Sequence, residues 1–484
     1  MAKVPVLNAD DTGERYNDYF VEKTHIQLKK LIEPQSVAII GASNKIDKVG
    51  GAITRNVLNS NYQGKVYLVN PKLTTIFGQQ AYQDVDEIPD NFDLAEIVVP
   101  AEAVPQTIEQ IAKKGASGAI VVSAGFAESG NKTLQAELIK AARKNNIRII
   151  GPNCFGIINT AMNLDLTFTF TGALKGSIAF VGQSGAMCCG TLDWAYNRDL
   201  GFSKFINIGN ESDVDISDVL AFLAHDPQTK VIGIYMEGIK NGRKLIDVGR
   251  IVAQKKPIVV LKSGSSEAGA RACLSHTGSI AGSDDVVNAA LRQAHMLRVD
   301  DIEEIFDAAF ALSNQPLPNG NRIGIVSNAG GLGVMVSDWC TKLNLQIPIF
   351  PLETRTKIKT HLPAIASASN PIDMTGIADY NFYKNVLDIV LSEQSIDCAI
   401  CIFVSQGLIT AAQPARAVAE IASKHDKPVL AFWMGERSTK EGIEVLRRSM
   451  IPTYPSPSRV AKAAYALHFY SRFKKSLEYS SGKT

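Results

Sequence analysis

The sequence predicts an α/β protein built from three doubly wound, parallel-sheet domains. Three observations predict it. Short β-branched apolar runs alternate with segments of helical period, the grammar of βαβ units. That grammar restarts twice, at Gly176 and again at Arg322. A polar, proline-bearing stretch, Asn314-Gln-Pro-Leu-Pro-Asn-Gly-Asn321, marks the last boundary as a linker. The expected domains span residues 22–155, 156–313 and 320–475.

In chain order, the first twenty or so residues are polar and are expected to form a poorly ordered arm. They lack the apolar core of a signal peptide. Ser36-Val-Ala-Ile-Ile40 reads as a strand, Gly41-Ala-Ser-Asn44 as a turn, and Gly50 to Leu58 as a helix. Further strands are expected at 66–69, 96–100, 118–122 and 148–150, with helices at 104–113 and 134–144 between them. The second domain reads as strands at 176–181, 204–208, 231–235 and 257–261, and the third as strands at 322–326, 398–404 and 428–432.

Composition narrows the function classes. At 484 residues, two to four domains are expected. Hydrophobic and charged contents of 45% and 20% are those of an ordinary soluble protein. A net charge of +2 gives no electrostatic reason to expect nucleic acid or an anionic membrane as partner. No run approaches the roughly 18 apolar residues of a membrane span. Seven scattered cysteines, an odd number, suit a reducing, cytoplasmic location. Cys398 and Cys401 form a CxxC inside an apolar strand pattern, so they read as buried core and no metal site is expected.

The chemistry concentrates in turns. A strand, the Gly41-Ala-Ser43 turn and a helix form the usual cradle for a nucleotide pyrophosphate. The full GxGxxG spacing is absent, and the second strand ends in Asn70-Pro71-Lys72, where an NAD site would carry an acid. A cation there suits a phosphorylated ribose, which leaves NADP and coenzyme A equally open on these residues. Two later turns, Val181-Gly-Gln-Ser-Gly-Ala186 and Ser327-Asn-Ala-Gly-Gly-Leu-Gly333, each follow a strand and open a helix, a geometry that favours anions. Between a strand and a helix lies a Gly-, Ala- and Ser-rich segment, Lys262 to Asp284, read as a flexible loop. It carries His276, a side chain suited to accept and pass on a group near neutral pH. Facing one another, the two turns would hold a phosphoryl group on that histidine. Glu237 ends a strand at the expected ligand edge and is a candidate to fix the tautomer of His276.

Taken together, these residues resemble the α subunit of the nucleoside-diphosphate-forming acyl-CoA synthetases, the superfamily of succinyl-CoA synthetase. The resemblance covers about Leu28 to Ser471 and rests on Glu267-Ala-Gly-Ala-Arg271 with Ser275-His-Thr-Gly-Ser279, on Gly151-Pro-Asn-Cys154 with Gly156, and on Gln183-Ser-Gly-Ala186. Gly201-Phe-Ser-Lys204 with Asn210, and Asn370-Pro-Ile-Asp-Met-Thr-Gly376, match as well. The resemblance implies a Rossmann-like CoA-binding domain followed by two flavodoxin-like domains. It also implies an ADP-forming ligase in which His276 is the phosphohistidine and Glu237 its partner carboxylate. Gln183, Ser184 and Gly185, then Ala329, Gly330 and Gly331, become the phosphate-binding residues. CoA would lie near Gly41, Ser43, Lys48, Lys72, Pro100 and Gly125, with Asn153 where acyl group and thiol meet. ATP or ADP with Mg²⁺ is implied mainly on a separate ATP-grasp β subunit, in an α2β2 assembly. The substrate implied is a small carboxylic acid, with acetate as the default. Two alternatives stand beside this reading: a CoA-binding sensor or scaffold without turnover, and an NADP-dependent oxidoreductase. The acid is left open, because the Leu164 to Gly172 segment expected to shape its pocket reads only as a loop.

Overall fold

The computed structural model describes residues 16–277 and 283–480, with side chains described for 16–272 and 283–479. The chain divides into two compact units, one up to Val299 and one from Asp300.

The first unit contains two seven-stranded sheets. Across the first run the strands Thr75–Ile76, Gln79–Tyr82, Lys65–Val69, Ser36–Ile40, Leu94–Ile97, Gly118–Val121 and Arg148–Ile150. Ser36–Ile40 lies at the centre, parallel to both neighbours, and is buried along its whole length. A strand covered on both faces must be apolar throughout, which is why Ser36-Val-Ala-Ile-Ile40 does not alternate. Across the second sheet run Leu297–Val299, Ile258–Lys262, Val231–Met236, Leu174–Gly182, Gly201–Asn207, Gly156–Asn159 and Leu164–Thr167. The second unit has one five-stranded parallel sheet, ordered Ile372–Asp373, Ile323–Ser327, Cys398–Val404, Val429–Met434 and Thr453–Tyr454. Cys398 and Cys401 are buried in its middle strand. Among the described residues, no helix is long and apolar enough to cross a membrane.

Four expectations are corrected. The last residues of the expected polar arm are helical, because a helix runs over Asp18–Ile32, capped where the Asn17 side chain accepts the N–H of Phe20, and residues 1–15 of the expected arm lie outside the described residues. The second sheet is not wholly parallel, since Gly156–Asn159 and Leu164–Thr167 form an antiparallel hairpin at its edge. The same hairpin makes the first four residues of the Leu164 to Gly172 segment a strand and not a loop. Finally, the small-residue segment after Lys262 is helical over Glu267–Thr277. Ser266 accepts the N–H of Gly269 at 3.1 Å and starts that helix. Alanine, arginine and leucine then carry it, because their helix propensity outweighs the one glycine. Residues 278–282, also part of the expected loop, lie outside the described residues.

Within the first unit the two sheets are tied by backbone. Asn210, Ser212 and Val214 donate to the carbonyls of Pro152, Gly151 and Ile149 at 2.9, 3.0 and 3.1 Å. A buried charge network reinforces this seam. Arg148 pairs with Asp213 at 2.9 Å and Asp218 at 3.1 Å, and Lys244 pairs with Asp218 at 2.7 Å and Asp215 at 3.0 Å. Such a network fixes geometry because removing either partner strands a buried charge.

Candidate functional site

A cleft of about 940 Å³ opens in the first unit between the carboxyl ends of its two sheets. This is where an α/β fold holds ligands, because the chain diverges there and leaves backbone groups unpaired. Asn153, Gln183, Ser184, Gly185 and Glu237 all line it, so residues up to 84 positions apart in sequence are brought together.

Its floor is set by local backbone geometry. Asn153 has φ of 56° and follows a cis Gly151–Pro152 bond. Its N–H donates to Ser123 O at 3.0 Å, and its side chain donates to Asn210 Oδ1 at 3.3 Å. Asn207 then fixes the next turn, accepting the N–H of Phe155 at 2.6 Å and donating to Gly182 O at 2.7 Å. One wall is the start of the Gly185–Tyr196 helix, capped by Ser184, whose hydroxyl accepts the N–H of Met187 at 3.4 Å. The first-turn N–H groups of a helix have no intrahelical partner, so this wall offers donors and a positive dipole end. A Cβ at Gly185 would meet only Phe155 Cβ at 3.7 Å and Asn207 Oδ1 at 4.0 Å, which leaves room over those donors for an oxyanion.

The opposite side carries Glu237, directly after the Val231–Met236 strand, with the Tyr235 hydroxyl donating to its Oε1 at 3.3 Å. Gln183 is turned inward. Its Oε1 accepts the N–H groups of Glu237 and of Gly238, the latter at 3.0 Å, and its Nε2 donates to Gly238 O at 3.0 Å and Glu211 Oε2 at 2.7 Å. Its own N–H donates to Tyr235 O at 3.3 Å. The Gln183 side chain therefore holds the backbone at Glu237 and Gly238, and the helix start after it presents its first-turn N–H groups to the cleft.

Glu211 was not singled out from the sequence. It sits in an irregular turn with no periodic pattern, and only the fold reveals that it lines the cleft. Burial pushes its carboxyl up to about 7, aided by nearby Asp215 and opposed by Lys240 and the Ile216 N–H. Glu128, another lining residue, behaves in the opposite way. Burial disfavours its charge, but donors from Asn210 at 2.5 Å, Gly125 at 2.6 Å and Phe126 at 3.1 Å outweigh burial and hold it below the usual carboxylate value.

The expected cofactor residues lie around the carboxyl edge of the first sheet. Gly41 has φ of 98°, and a Cβ there would lie 2.4 Å from Val98 O, so glycine is required for the strand to turn. Ser43 accepts the N–H of Lys45 at 3.0 Å. Asn70 donates to Ala42 O at 2.7 Å and accepts the N–H of Lys72 at 2.9 Å, which packs the two strand-end turns side by side. Lys45, Lys48 and Lys72 are all exposed on these turns. Pro100 opens a short 3-10 turn just after Val98 and Val99, which line the cleft, and Gly125 follows lining residue Ala124.

In the second unit, the Ser327–Gly333 turn has the same character. Asn328 bridges both ways to Val404, donating to its O at 2.8 Å and accepting its N–H at 2.9 Å. The Gly330–Lys342 helix starts at Ala329 without a side-chain cap. Gly330 is required there, since a Cβ would lie 2.5 Å from Asp373 Oδ2, whereas Gly331 faces open space. His276 falls in the Glu267–Thr277 helix, and its side chain lies outside the described side chains.

Comparison with known proteins bears on these features. Residues 35–160 match a CoA binding domain, 175–312 a succinyl-CoA ligase like flavodoxin domain, and 323–475 a ligase-CoA domain. The chain is 41% identical to the α subunit of the ADP-forming acetate–CoA ligase II of Pyrococcus furiosus, covering 91% of this chain and 97% of that one. It is 40% identical to the α subunit of ligase I of the same organism, covering 93% and 99%. Among solved structures, it superposes with a TM-score of 0.89 on the dinucleotide forming acetyl-coenzyme A synthetase 1 of Ca. Korarchaeum cryptofilum, in complex with phosphate and ADP, at 35% identity over 94% of this chain and 98% of that chain. On this likeness, spread over nearly the full length of both sequences, the chain belongs to the family of ADP-forming acetate–CoA ligase α subunits.

Proposed function

We propose that the chain is the catalytic α subunit of an ADP-forming acid–CoA ligase. It interconverts acyl-CoA, ADP and phosphate with carboxylic acid, CoA and ATP through an acyl phosphate and a phosphohistidine at His276. The observation that carries this reading is that the open space over Gly185, the Asn153 turn and Glu237 all face onto one cleft.

The residues divide the work. The first-turn donors at Ser184 and Gly185 hold the phosphate oxygens. CoA supplies the thiol that carries the acyl group, and Gly41, Ser43, Pro100 and Gly125 shape the edge on which it lies. The exposed cations Lys48 and Lys72 suit its phosphorylated ribose. A ring nitrogen of His276 takes the phosphoryl group as the P–O bond to the acyl carboxylate breaks, and the free acid leaves as its anion. Glu237 accepts the other ring N–H, which fixes the tautomer, aims the imidazole and raises the nucleophilicity of the attacking nitrogen. Ala329, Gly330 and Gly331 form a second anion cradle in the other unit. The division into a CoA-binding domain at 22–155, a phosphohistidine domain at 156–313 and a second ligase domain at 320–475 belongs to this reading and is supported by the three sheets.

The acid we assign is a short monocarboxylate such as acetate. Phe155 and Phe168 pack edge to face at 5.1 Å beside the Gly185 donors, and Cys189 continues the same wall. The one lysine among the described lining residues, Lys240, donates to the backbone carbonyls of Asn210 and Glu211 and so does not offer its charge to a second carboxylate. Because the relatives are named as α subunits, we assign a β subunit as partner, an ATP-grasp chain holding ADP and Mg²⁺, in an α2β2 assembly. A cytoplasmic location is supported by the free thiols of Cys154, Cys188, Cys189 and Cys340.

Intact-mass spectrometry after incubation with acetyl-CoA and phosphate tests the reading. An acid-labile phosphoryl adduct is expected on the wild type and not on His276→Ala. An adduct that persists in His276→Ala overturns the assignment of the histidine. No adduct with any short acyl-CoA, even with the β partner present, overturns turnover itself.

A further inference from the structure

We propose that Glu211 is a positioning residue of this site, holding Glu237 in place through the side-chain amide of Gln183. The proposal rests on the reading of Glu237 given above.

The argument is one of donors and acceptors. Glu237 and Gly238 each present a backbone N–H to Gln183, so the carbonyl oxygen of its side chain must point at them. Its NH₂ group then points the other way and needs acceptors, which are Gly238 O at 3.0 Å and Glu211 Oε2 at 2.7 Å. An ionised carboxylate only accepts, so it can meet the NH₂ end and not the carbonyl end. Glu211 thereby fixes which way round the amide sits, and with it the strand end that carries Glu237. Its other oxygen accepts the N–H of Ile216 at 3.0 Å, so both oxygens face donors and the ionised form satisfies the site best.

Glu211 is itself rigidly presented. Its backbone has φ of 50°, and its carbonyl accepts from Lys240 Nζ at 2.6 Å. It is 6% exposed. The charged groups that face it are Asp215, on the N-cap of the next helix, and Lys240, from the turn after Gly238. Asp215 is in turn neutralised by Lys244 at 3.0 Å. Neighbouring Asn210 donates to Glu128, a carboxylate held ionised by its own donors. Burial raises the Glu211 carboxyl to about 7, so its holding form fades as pH falls through neutrality. On protonation it gains an O–H where the Gln183 NH₂ requires an acceptor.

The test compares wild type, Glu211→Gln and Glu211→Asp, each assembled with its β partner. Two readouts are needed: kcat and KM for CoA between pH 6 and 8.5, and amide hydrogen exchange at Glu237 and Gly238. Glutamine has the shape of the protonated acid. Glu211→Gln is therefore expected to lower kcat about tenfold with KM for CoA within twofold, and to lack the rise in kcat through about pH 7 that is expected of the wild type. Exchange at Glu237 and Gly238 should speed up at least tenfold in that variant, while the core strand Val231–Met236 is unchanged. Glu211→Asp, which keeps the acceptor on a shorter arm, should recover part of both. A Glu211→Gln enzyme with wild-type kcat, pH profile and exchange overturns the proposal, as does a loss that appears only as raised KM with general loss of protection. Faster exchange at Glu237 with no change in turnover would leave the positioning intact and sink the role given to Glu237.

Discussion

A Cβ built at Gly185 meets nothing closer than 3.7 Å, whereas one at Gly330 would lie 2.5 Å from a carboxylate oxygen. The two glycines occupy equivalent places at the start of a helix, yet only the second is demanded by packing. Glycine in a helix lowers stability relative to alanine when nothing else requires it. Its presence at 185 therefore points to the ligand, because the empty side faces the cleft. Gly185→Ala is expected to fold normally, with stability unchanged or raised by up to ~1 kcal/mol. Phosphate affinity and turnover are expected to fall at least tenfold, because the methyl group takes the volume over the first-turn donors. Thermal unfolding together with phosphate dependence of the acyl-CoA cleavage rate checks both halves. A variant that loses stability and activity in parallel would show that the glycine serves packing alone.

Strand, turn and helix around Gly41 form one element whose tolerance is opposite. A Cβ at Gly50 would lie 2.0 Å from Gly41 O, and one at Gly51 would lie 1.9 Å from Lys45 O. Both conflicts are with backbone, which has no rotamer to escape into. Gly51→Ala is expected to destabilise by about 1–3 kcal/mol and to weaken CoA binding, because moving Lys45 O displaces the turn that carries Lys48. Calorimetric titration of CoA with chemical denaturation would check this, and unaltered CoA affinity would remove the turn from the binding site. How far such elements were legible follows from their physics. Buried parallel strands announce themselves as unbroken apolar runs, so Ser36–Ile40 and Cys398–Val404 could be read to the residue. The Gly156–Asn159 strand could not, since it begins at a glycine with φ of 105° and ends in an asparagine whose buried side chain donates to Ile32 O at 2.8 Å and accepts the N–H of Ala161 at 3.2 Å. The Glu267–Thr277 helix was hidden by its small residues, which serve loops and helices alike. Ser184 and Glu237 were visible because each sits at a strand or helix end, whereas Asn153, in the turn between the Arg148–Ile150 and Gly156–Asn159 strands, was reached only through the family resemblance of Gly151-Pro-Asn-Cys154. Glu211 was not, because its role depends on hydrogen bonds to Gln183, 28 positions earlier in the chain.

Across the whole first unit, the seam between the sheets buries more acid than it can satisfy. Glu96, at the middle of the first sheet, is fully buried and neither of its carboxyl oxygens has a hydrogen-bond partner. Burial pushes its carboxyl well above the usual value, and the charge of Asp165, on the edge hairpin of the second sheet, pushes it further. Asp165 is itself raised to about 6 by burial, against hydrogen bonds from Thr167 and the charge of Arg55. The hairpin is held to the Val49–Asn59 helix of the first domain by Asn56, which donates to Thr167 O at 2.7 Å and Thr169 O at 2.8 Å. The sign of the pH effect follows from these two raised carboxyls. Folded Glu96 keeps its proton after the unfolded chain has lost it near pH ~4.3, so the native state binds more protons and stability falls as pH rises. That loss continues, at roughly 1.4 kcal/mol per pH unit for each such group, until the folded carboxyl ionises. Asp165 stops contributing to the slope above about 6, and Glu96 contributes until its own raised carboxyl ionises. Glu96→Gln is expected to match the wild type near pH 5 and to exceed it in denaturation midpoint at pH 8, with a flatter slope between. Equal slopes for the two proteins would mean that Glu96 is ionised in the fold, and the seam would then have to supply a partner for its charge.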